Sequence, residues 1–332
     1  MGGGWVPTRG LYEETSLLMK TNPDASASRT GATSASSVLR SRLRRRDEIT
    51  AWAFLAPGLI AFTVFVVVPA LGAIVLSFFD WRLFDNPSFV GLKHLRKLFG
   101  DANMWKSLGV TVIFVLVGVI PTTLIGFLLA VVASSSLRGT AALRVLFFSP
   151  MVASSAITAV LWTNLYRVRD GFINQMLAQF GIEGPNWMTD PGIARPALIV
   201  VMIWSALPVV IILYIAAIQK VPEDIYAAAS LDGAGRWRQL WSMTWPNVMS
   251  TTIVLLVLMF TTFLGAPLEF ALLMTDGGPL GETTTLGLYA FKVAFERRDM
   301  GYASALALWQ LVLVGTAFLA GRGITALWRK RR

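Results

Sequence analysis

The residues able to do chemistry are few and widely spaced. The chain has one histidine, His94, and no cysteine. Thiol nucleophiles, disulfides and Cys-based metal sites are therefore excluded, and the redox compartment stays undetermined. His94 falls in a polar connection and is expected at the surface. Glu269 is the one acidic residue at the far end of an apolar span. A carboxylate there either faces a cavity or partner, where it can accept two hydrogen bonds from hydroxyl donors, or is an interfacial anchor. Thr275, Gly277, Gly278 and Pro279 follow as T-x-G-G-P, a tight turn needing positive φ. Gly277 to Thr283 is glycine-rich but carries no lysine, so it is not a phosphate loop. With no nucleotide motif, energy must come from another chain or from a gradient.

Another stretch has mechanical rather than catalytic character: Val221 to Pro246, VPEDIYAAASLDGAGRWRQLWSMTWP. Pro222 suits a helix start, and Glu223 and Asp224 in the first turn suit the helix dipole. A helix through Ala227, Ala228 and Ala229 is expected to break at Asp232-Gly233. A second helix is expected from about Gly235 to Thr244, with Trp237, Leu240, Trp241 and Thr244 on one face and Pro246 closing it. Asp232 can cap that helix or bind across an interface, and Gly233 permits a turn that a side chain would block. Trp237 and Trp241 face either a protein partner or the bilayer.

These segments hang on a membrane framework. The 332 residues are 55% hydrophobic and only 14% charged, against about 25% charged in soluble domains. Charge-free gaps predict six transmembrane spans, at about 51–79, 108–134, 145–165, 196–218, 247–273 and 301–321. Pro57, Pro69, Pro121, Pro150, Pro208 and Pro267 lie within or at the ends of these spans and suggest kinks. Residues 1–48 read as a disordered basic tail rather than a cleavable signal peptide, with Met19 an alternative start. Of the 29 Lys and Arg, 18 fall on one side of this arrangement: eight in that tail, then Arg138 and Arg144, Lys220, Arg236 and Arg238, and Arg322 with the basic end 329–332. This predicts that both termini and the loop are cytoplasmic. The net charge of +10 belongs to orientation and anionic lipid, not to nucleic acid.

The 221–246 stretch resembles the cytoplasmic coupling loop of ABC importer permeases, the EAA motif, of form E-A-A-x-x-x-G followed by a hydrophobic segment and L-P. Here it reads Ala227-Ala228-Ala229-Ser230-Leu231-Asp232-Gly233-Ala234 and then Trp245-Pro246, with Ala227 in place of the glutamate. Other segments are similar to the maltose- and glycerol-3-phosphate-type branch. They are Phe89 to Leu95 with Asp101 (His94 replacing the usual Asn), Asp170 to Asn174 with Trp187, Glu269 with Thr275 to Pro279, and Met300 to Ala305. The resemblance covers about residues 50–328.

It implies an all-α integral membrane protein with the type I ABC importer permease fold, in a bacterial or archaeal inner membrane. It also implies a second homologous permease, two ATPase subunits carrying ATP and Mg, and an external solute-binding protein delivering a sugar or polyol. This chain itself would hold no cofactor or metal and would not be an enzyme. Ala227, Ala228, Ala229, Asp232, Gly233, Ala234, Trp237 and Pro246 would meet the ATPase. Glu269 would line the path, and Thr275, Gly277, Gly278 and Pro279 would dock the binding protein. A gradient-driven transporter or channel acting as a homo-oligomer is the alternative. A membrane enzyme is weaker, for want of clustered His, Asp or Glu at span ends.

Overall fold

The computed structural model describes residues 48, 50–82, 85–134, 145 and 147–330. All of the expected tail but Glu48, and the last two basic residues, lie outside them. The chain divides into two compact units, Met1–Ala70 and Leu71–Arg332, and is predominantly helical.

Helix α1 runs Thr50–Leu76 and is uniformly apolar. Its Thr63–Val67 stretch winds as a π-helix. Pro69 explains the position, because its missing N–H would have bonded to Phe65, inside that stretch. A two-stranded pair follows, β1 (Phe79–Asp80) against β2 (Ser88–Phe89). Then come α2 (Lys93–Gly100) and α3 (Ala102–Ser134). Helices α4 (Ser155–Leu165), α5 (Phe172–Gln179) and α6 (Ala194–Ile218) are followed by α7 (Glu223–Leu231). The chain then forms α8 (Arg236–Gln239), a π turn Leu240–Thr244, α9 (Trp245–Gly265), α10 (Pro267–Met274), α11 (Leu286–Phe295) and α12 (Met300–Lys330).

Among the described residues, four stretches are long and apolar enough to cross a membrane: Thr50–Leu76, Ala102–Ser134, Ala194–Ile218 and Arg236–Met274. Within the expected span at 145–165 the helix is interrupted rather than merely kinked. A 3-10 turn at Ser149–Val152 carries Pro150, and Ala153 is extended. The Ser154 hydroxyl then accepts from the Ile157 N–H to start α4 afresh. Helix α4 has 11 residues, about 16 Å, against a hydrocarbon core of about 30 Å. A second correction concerns Pro246, which does not close a helix. The helix passes through it, because the π turn at Leu240–Thr244 absorbs the bond to Ser242 that proline cannot make.

The core of the larger unit is the packing of α3 on α6, with α9 against both. Phe114, Phe127, Leu198, Tyr214, Leu255 and Phe263 are buried there. Glycine permits the close approach: a Cβ on Gly118 would sit 2.1 Å from the Phe263 ring, and one on Gly126 would sit 2.4 Å from Val210. A second cluster joins α2, the start of α3, α11 and α12 through Leu98, Met104, Leu286, Val293 and Leu306. The apolar residues Leu116, Ile120, Val254 and Val257 stay exposed on this chain, as lipid or a partner helix requires.

His94 corrects a third expectation. It is 3% exposed, not a surface residue. Helix α12 covers it: Gly301 lies so close that a Cβ there would meet Phe79 O at 2.1 Å and His94 Nε2 at 2.9 Å.

Candidate functional site: the 221–246 hairpin and the opposite loops

Helix α7 ends in a Schellman motif. The Gly233 N–H donates to Ser230 O at 3.1 Å and the Ala234 N–H to Ala229 O at 2.9 Å. Gly233 takes φ +74°, the left-handed conformation this cap needs. Ala229 and Ala234, the apolar pair that accompanies the motif, are both buried. Asp224, Ala227, Ala228 and Leu231 form the exposed face of α7 at i, i+3, i+4 and i+7, while Tyr226 and Ala229 turn inward. Ala227, in the position of the motif glutamate, therefore faces away from this chain. Asp232 and Trp237 are also exposed, Trp237 at 72% and neighbouring Leu231 at 90%.

The hairpin is clasped by side chains. The Gln239 amide donates to Ser230 Oγ at 2.9 Å and to Ala234 O at 3.0 Å. The Tyr226 phenol and Thr244 hydroxyl are 3.1 Å apart. Its root enters the bundle through aromatic rings. Trp241 and Trp245 have centroids 5.7 Å apart, and Trp245 meets Phe127 of α3 edge-on at 4.9 Å. Phe127 meets Tyr214 of α6 at 5.4 Å, and the Tyr214 hydroxyl donates to Thr252 of α9. Pro246 is exposed beside this junction.

The other end of α3 is tied differently. Gly277 has φ +79°, and a Cβ there would meet Thr284 Oγ1 at 2.5 Å. Thr283 and Thr284 donate to Gly278 O and Gly277 O at 2.7 and 2.9 Å, and Thr275 and Thr283 hydroxyls are 2.7 Å apart. Pro279 completes this knot. The Glu282 carboxylate is paired by Arg195 of α6 and, at 3.6 Å, by Lys106 of α3. Lys292 pairs Asp276 at 2.8 Å. Asn174 and Trp187 are joined at 2.6 Å.

Asp101 caps α3 by accepting from the Asn103 N–H at 2.9 Å. Its other oxygen accepts from the phenols of Tyr289 at 2.7 Å and Tyr302 at 2.5 Å. Burial works to raise the Asp101 carboxyl, but the Tyr302 and Tyr289 hydroxyls and backbone N–H groups outweigh it and hold it below the ordinary carboxylate range. Glu269 stands apart from these networks, exposed in the first turn of α10, in the last turns of the apolar stretch ending at Met274.

Residues 98–321 match the family model described as the binding-protein-dependent transport system inner membrane component. The chain belongs to this family. It is 33% identical over 301 residues to the probable ABC transporter permease protein YesP of Bacillus subtilis, covering 89% of this chain and 96% of that one. It is 30% identical over 277 residues to the trehalose/maltose transport system permease protein MalF of Thermococcus litoralis, covering 83% and 93%. The fold is that of a chain in the crystal structure of a bacterial alginate ABC transporter in complex with an alginate pentasaccharide-bound periplasmic protein. The TM-score is 0.75 at 22% identity, over 84% of this chain and 95% of that one.

The α7–α8 hairpin lies inside the family match and was legible in advance. The Glu282 clamp and the Asp101–tyrosine pair were not, because their partners sit 87 to 201 residues away in sequence.

Proposed function

We propose that this chain is one membrane-spanning permease subunit of an ATP-driven importer for a sugar or related polyol handed over by an external binding protein. The observation that carries this reading is the clasped hairpin. It presents an exposed face of Ala227, Ala228, Leu231 and Trp237 while its root is packed on Phe127 of the bundle. A rigid knob so anchored can pass a push from an ATPase into α3, α6 and α9. The named relatives favour the sugar class, since they include trehalose/maltose and lactose permeases.

In this reading six spans cross the membrane, with α4 and its preceding turn and the apolar part of α12 completing the four long helices. Both termini and the hairpin are cytoplasmic. A second, homologous permease covers the exposed apolar faces of this one. Two ATPase subunits carrying ATP and Mg dock on the hairpins. The Thr275–Pro279 knot, at the opposite end of the bundle, meets the binding protein. Glu269 is exposed near the end of an apolar span, where a carboxylate needs a cavity or partner, and this supports a place on the solute path.

Gentle solubilisation of the tagged chain tests the reading. Co-purification of an ATPase, a related permease and a solute-binding protein is expected. Recovery of the chain alone or as a homo-oligomer, under conditions that keep other ABC importers intact, would overturn it in favour of a gradient-driven carrier.

A further inference from the structure

Three segments converge at the Asp101 end of the bundle around a buried imidazole. Asp80 ends β1, His94 lies in the first turn of α2, and Asp299 immediately precedes α12. Backbone bonds fix the segments relative to one another. β1 pairs with β2, Arg82 bridges to Asp299, and the Met300 N–H donates to Trp81 O at 3.0 Å. Gly301 lets α12 close over the ring.

A neutral imidazole has one donor and one acceptor nitrogen, and burying either without a partner is unfavourable. Both nitrogens of His94 are buried without a hydrogen-bond partner, although the residue is 3% exposed. One ring nitrogen and one carboxylate oxygen from each of Asp80 and Asp299 lie within 4.8 Å of one another. Nitrogen with two carboxylates is a donor set for Zn2+ or Mn2+. The two carboxylates and a neutral ring carry the −2 charge that balances a divalent ion. Ligands about 2.1 Å from a metal lie roughly 3.4 Å apart in a tetrahedral site. The Asp80 and Asp299 side chains, 30% and 20% exposed, would turn to close that difference, with Asp299 Oδ1 held by the Tyr302 N–H at 3.0 Å and its other oxygen left for the ion.

We propose that Asp80, His94 and Asp299 bind one divalent transition-metal ion, clipping residues 79–82 to the start of α12. The competitors are visible. Lys93 Nζ is 3.1 Å from Asp80 and Lys97 Nζ is 3.7 Å from Asp299, and both lysine side chains are more than half exposed. They must swing into solvent as the ion enters. Lysine competition gives the site a signature that a purely structural histidine lacks: removing a lysine should tighten metal binding.

The test uses the full-length chain in its assembled transporter, stripped with chelator and titrated with Co2+ as a visible-absorption probe and with Zn2+ by calorimetry. One ion per chain is expected, with a thermal midpoint raised by several degrees. Affinity should fall at least about tenfold in His94→Asn and in Asp299→Asn, and rise severalfold in Lys93→Met. Absence of Co2+ absorption in the wild type would overturn the proposal. So would equal affinity in the wild type and a folded His94→Asn variant. If the ligand variants fail to assemble, unchanged affinity in Lys93→Met would overturn it equally. None of these readouts depends on solute uptake, so the site and the importer reading stand or fall separately.

Discussion

The ring of Phe127 stands edge-on to that of Trp245, with centroids 4.9 Å apart and planes at 72°. Phe127 is fully buried on α3, and Trp245 is the first residue of α9. This contact is where the hairpin enters the bundle, so it should govern how tightly hairpin and bundle move together. Phe127→Ala removes a buried aromatic, at a cost of about 3–5 kcal/mol. Phe127→Leu keeps most of the apolar volume but loses the edge-to-face pairing, worth about 0.5–1.5 kcal/mol. Phe127→Leu is expected to assemble normally while solute uptake per ATP hydrolysed falls. Unchanged uptake per ATP in proteoliposomes would remove this contact from the coupling route.

Gly233 needs positive φ, yet a Cβ there would meet nothing within 4 Å. Its substitution is therefore a backbone effect. Gly233→Ala should lower stability by about 1 kcal/mol. Gly233→Asn should lower it less, since Asn tolerates the left-handed region. Gly233→Asp keeps membrane insertion but adds a second carboxylate beside Asp232 on the exposed face, and uptake is expected to be lost. Uptake assays at matched expression check the series; normal uptake by Gly233→Asp would contradict the docking role.

What could be read in advance follows the range of the interactions. The break at Asp232-Gly233 was legible because a Schellman cap is a local event in which a helix meets a glycine. Pro246 reads as a stop in the sequence, yet the helix runs through it. A proline signals a missing N–H, but whether the helix ends or loosens into a π turn depends on the packing of Trp241 and Trp245 on Phe127. His94 differs from its sequence expectation for a similar reason. Its connection is polar, and its burial comes from Gly301, on the last helix. The interruption at Pro150 and Ser154 lies in a charge-free gap, and absence of charge measures hydrophobicity rather than helix continuity.

Asp101 makes a pH prediction. Its carboxyl is held below the ordinary range, despite burial, by Tyr302, Tyr289 and backbone N–H groups. A carboxyl depressed in the folded state adds stability above its unfolded value near 3.9, and that stability is lost as pH falls through the folded value. Thermal stability should therefore drop below about pH 4, where the carboxylate protonates. Asp101→Asn should lower the midpoint at neutral pH and flatten the acid limb. Parallel melting curves for the two proteins over that pH range measure both effects. An equal acid limb in the variant would assign the pH dependence to other groups.

Glu282 receives Arg195 and Lys106 on one carboxylate, and the Arg195 Nε also donates to Glu282 O at 2.9 Å. Arg195 and Glu282 are each about a quarter exposed, so the pair is shielded but not dry. Glu282→Gln leaves two cations facing a neutral amide and should cost about 1–3 kcal/mol. The Thr275–Pro279 knot, tied to the same loop by Thr283 and Thr284, is expected to loosen. Hydrogen exchange across residues 275–285 should rise in the variant while the 221–246 hairpin stays protected. A uniform rise in both regions would mean global destabilisation instead.

Glu269 separates two roles that geometry alone permits. As an interfacial anchor it would interact mainly with headgroups and water, and Glu269→Gln would leave uptake unchanged. As a solute ligand it would accept hydroxyl donors on both oxygens, and an amide, with one donor group, cannot reproduce that pattern. The exposed position in the first turn of α10, near the end of the apolar stretch at Met274, favours the second role. Glu269→Gln should therefore assemble normally, hydrolyse ATP when stimulated, and import the solute at least about tenfold more slowly, in line with the loss of a charge-assisted hydrogen bond of roughly 1.5–3 kcal/mol. Glu269→Asp, which keeps the charge on a shorter arm, should recover part of the rate. Equal uptake by wild type and Glu269→Gln across solute concentrations would return Glu269 to the interface.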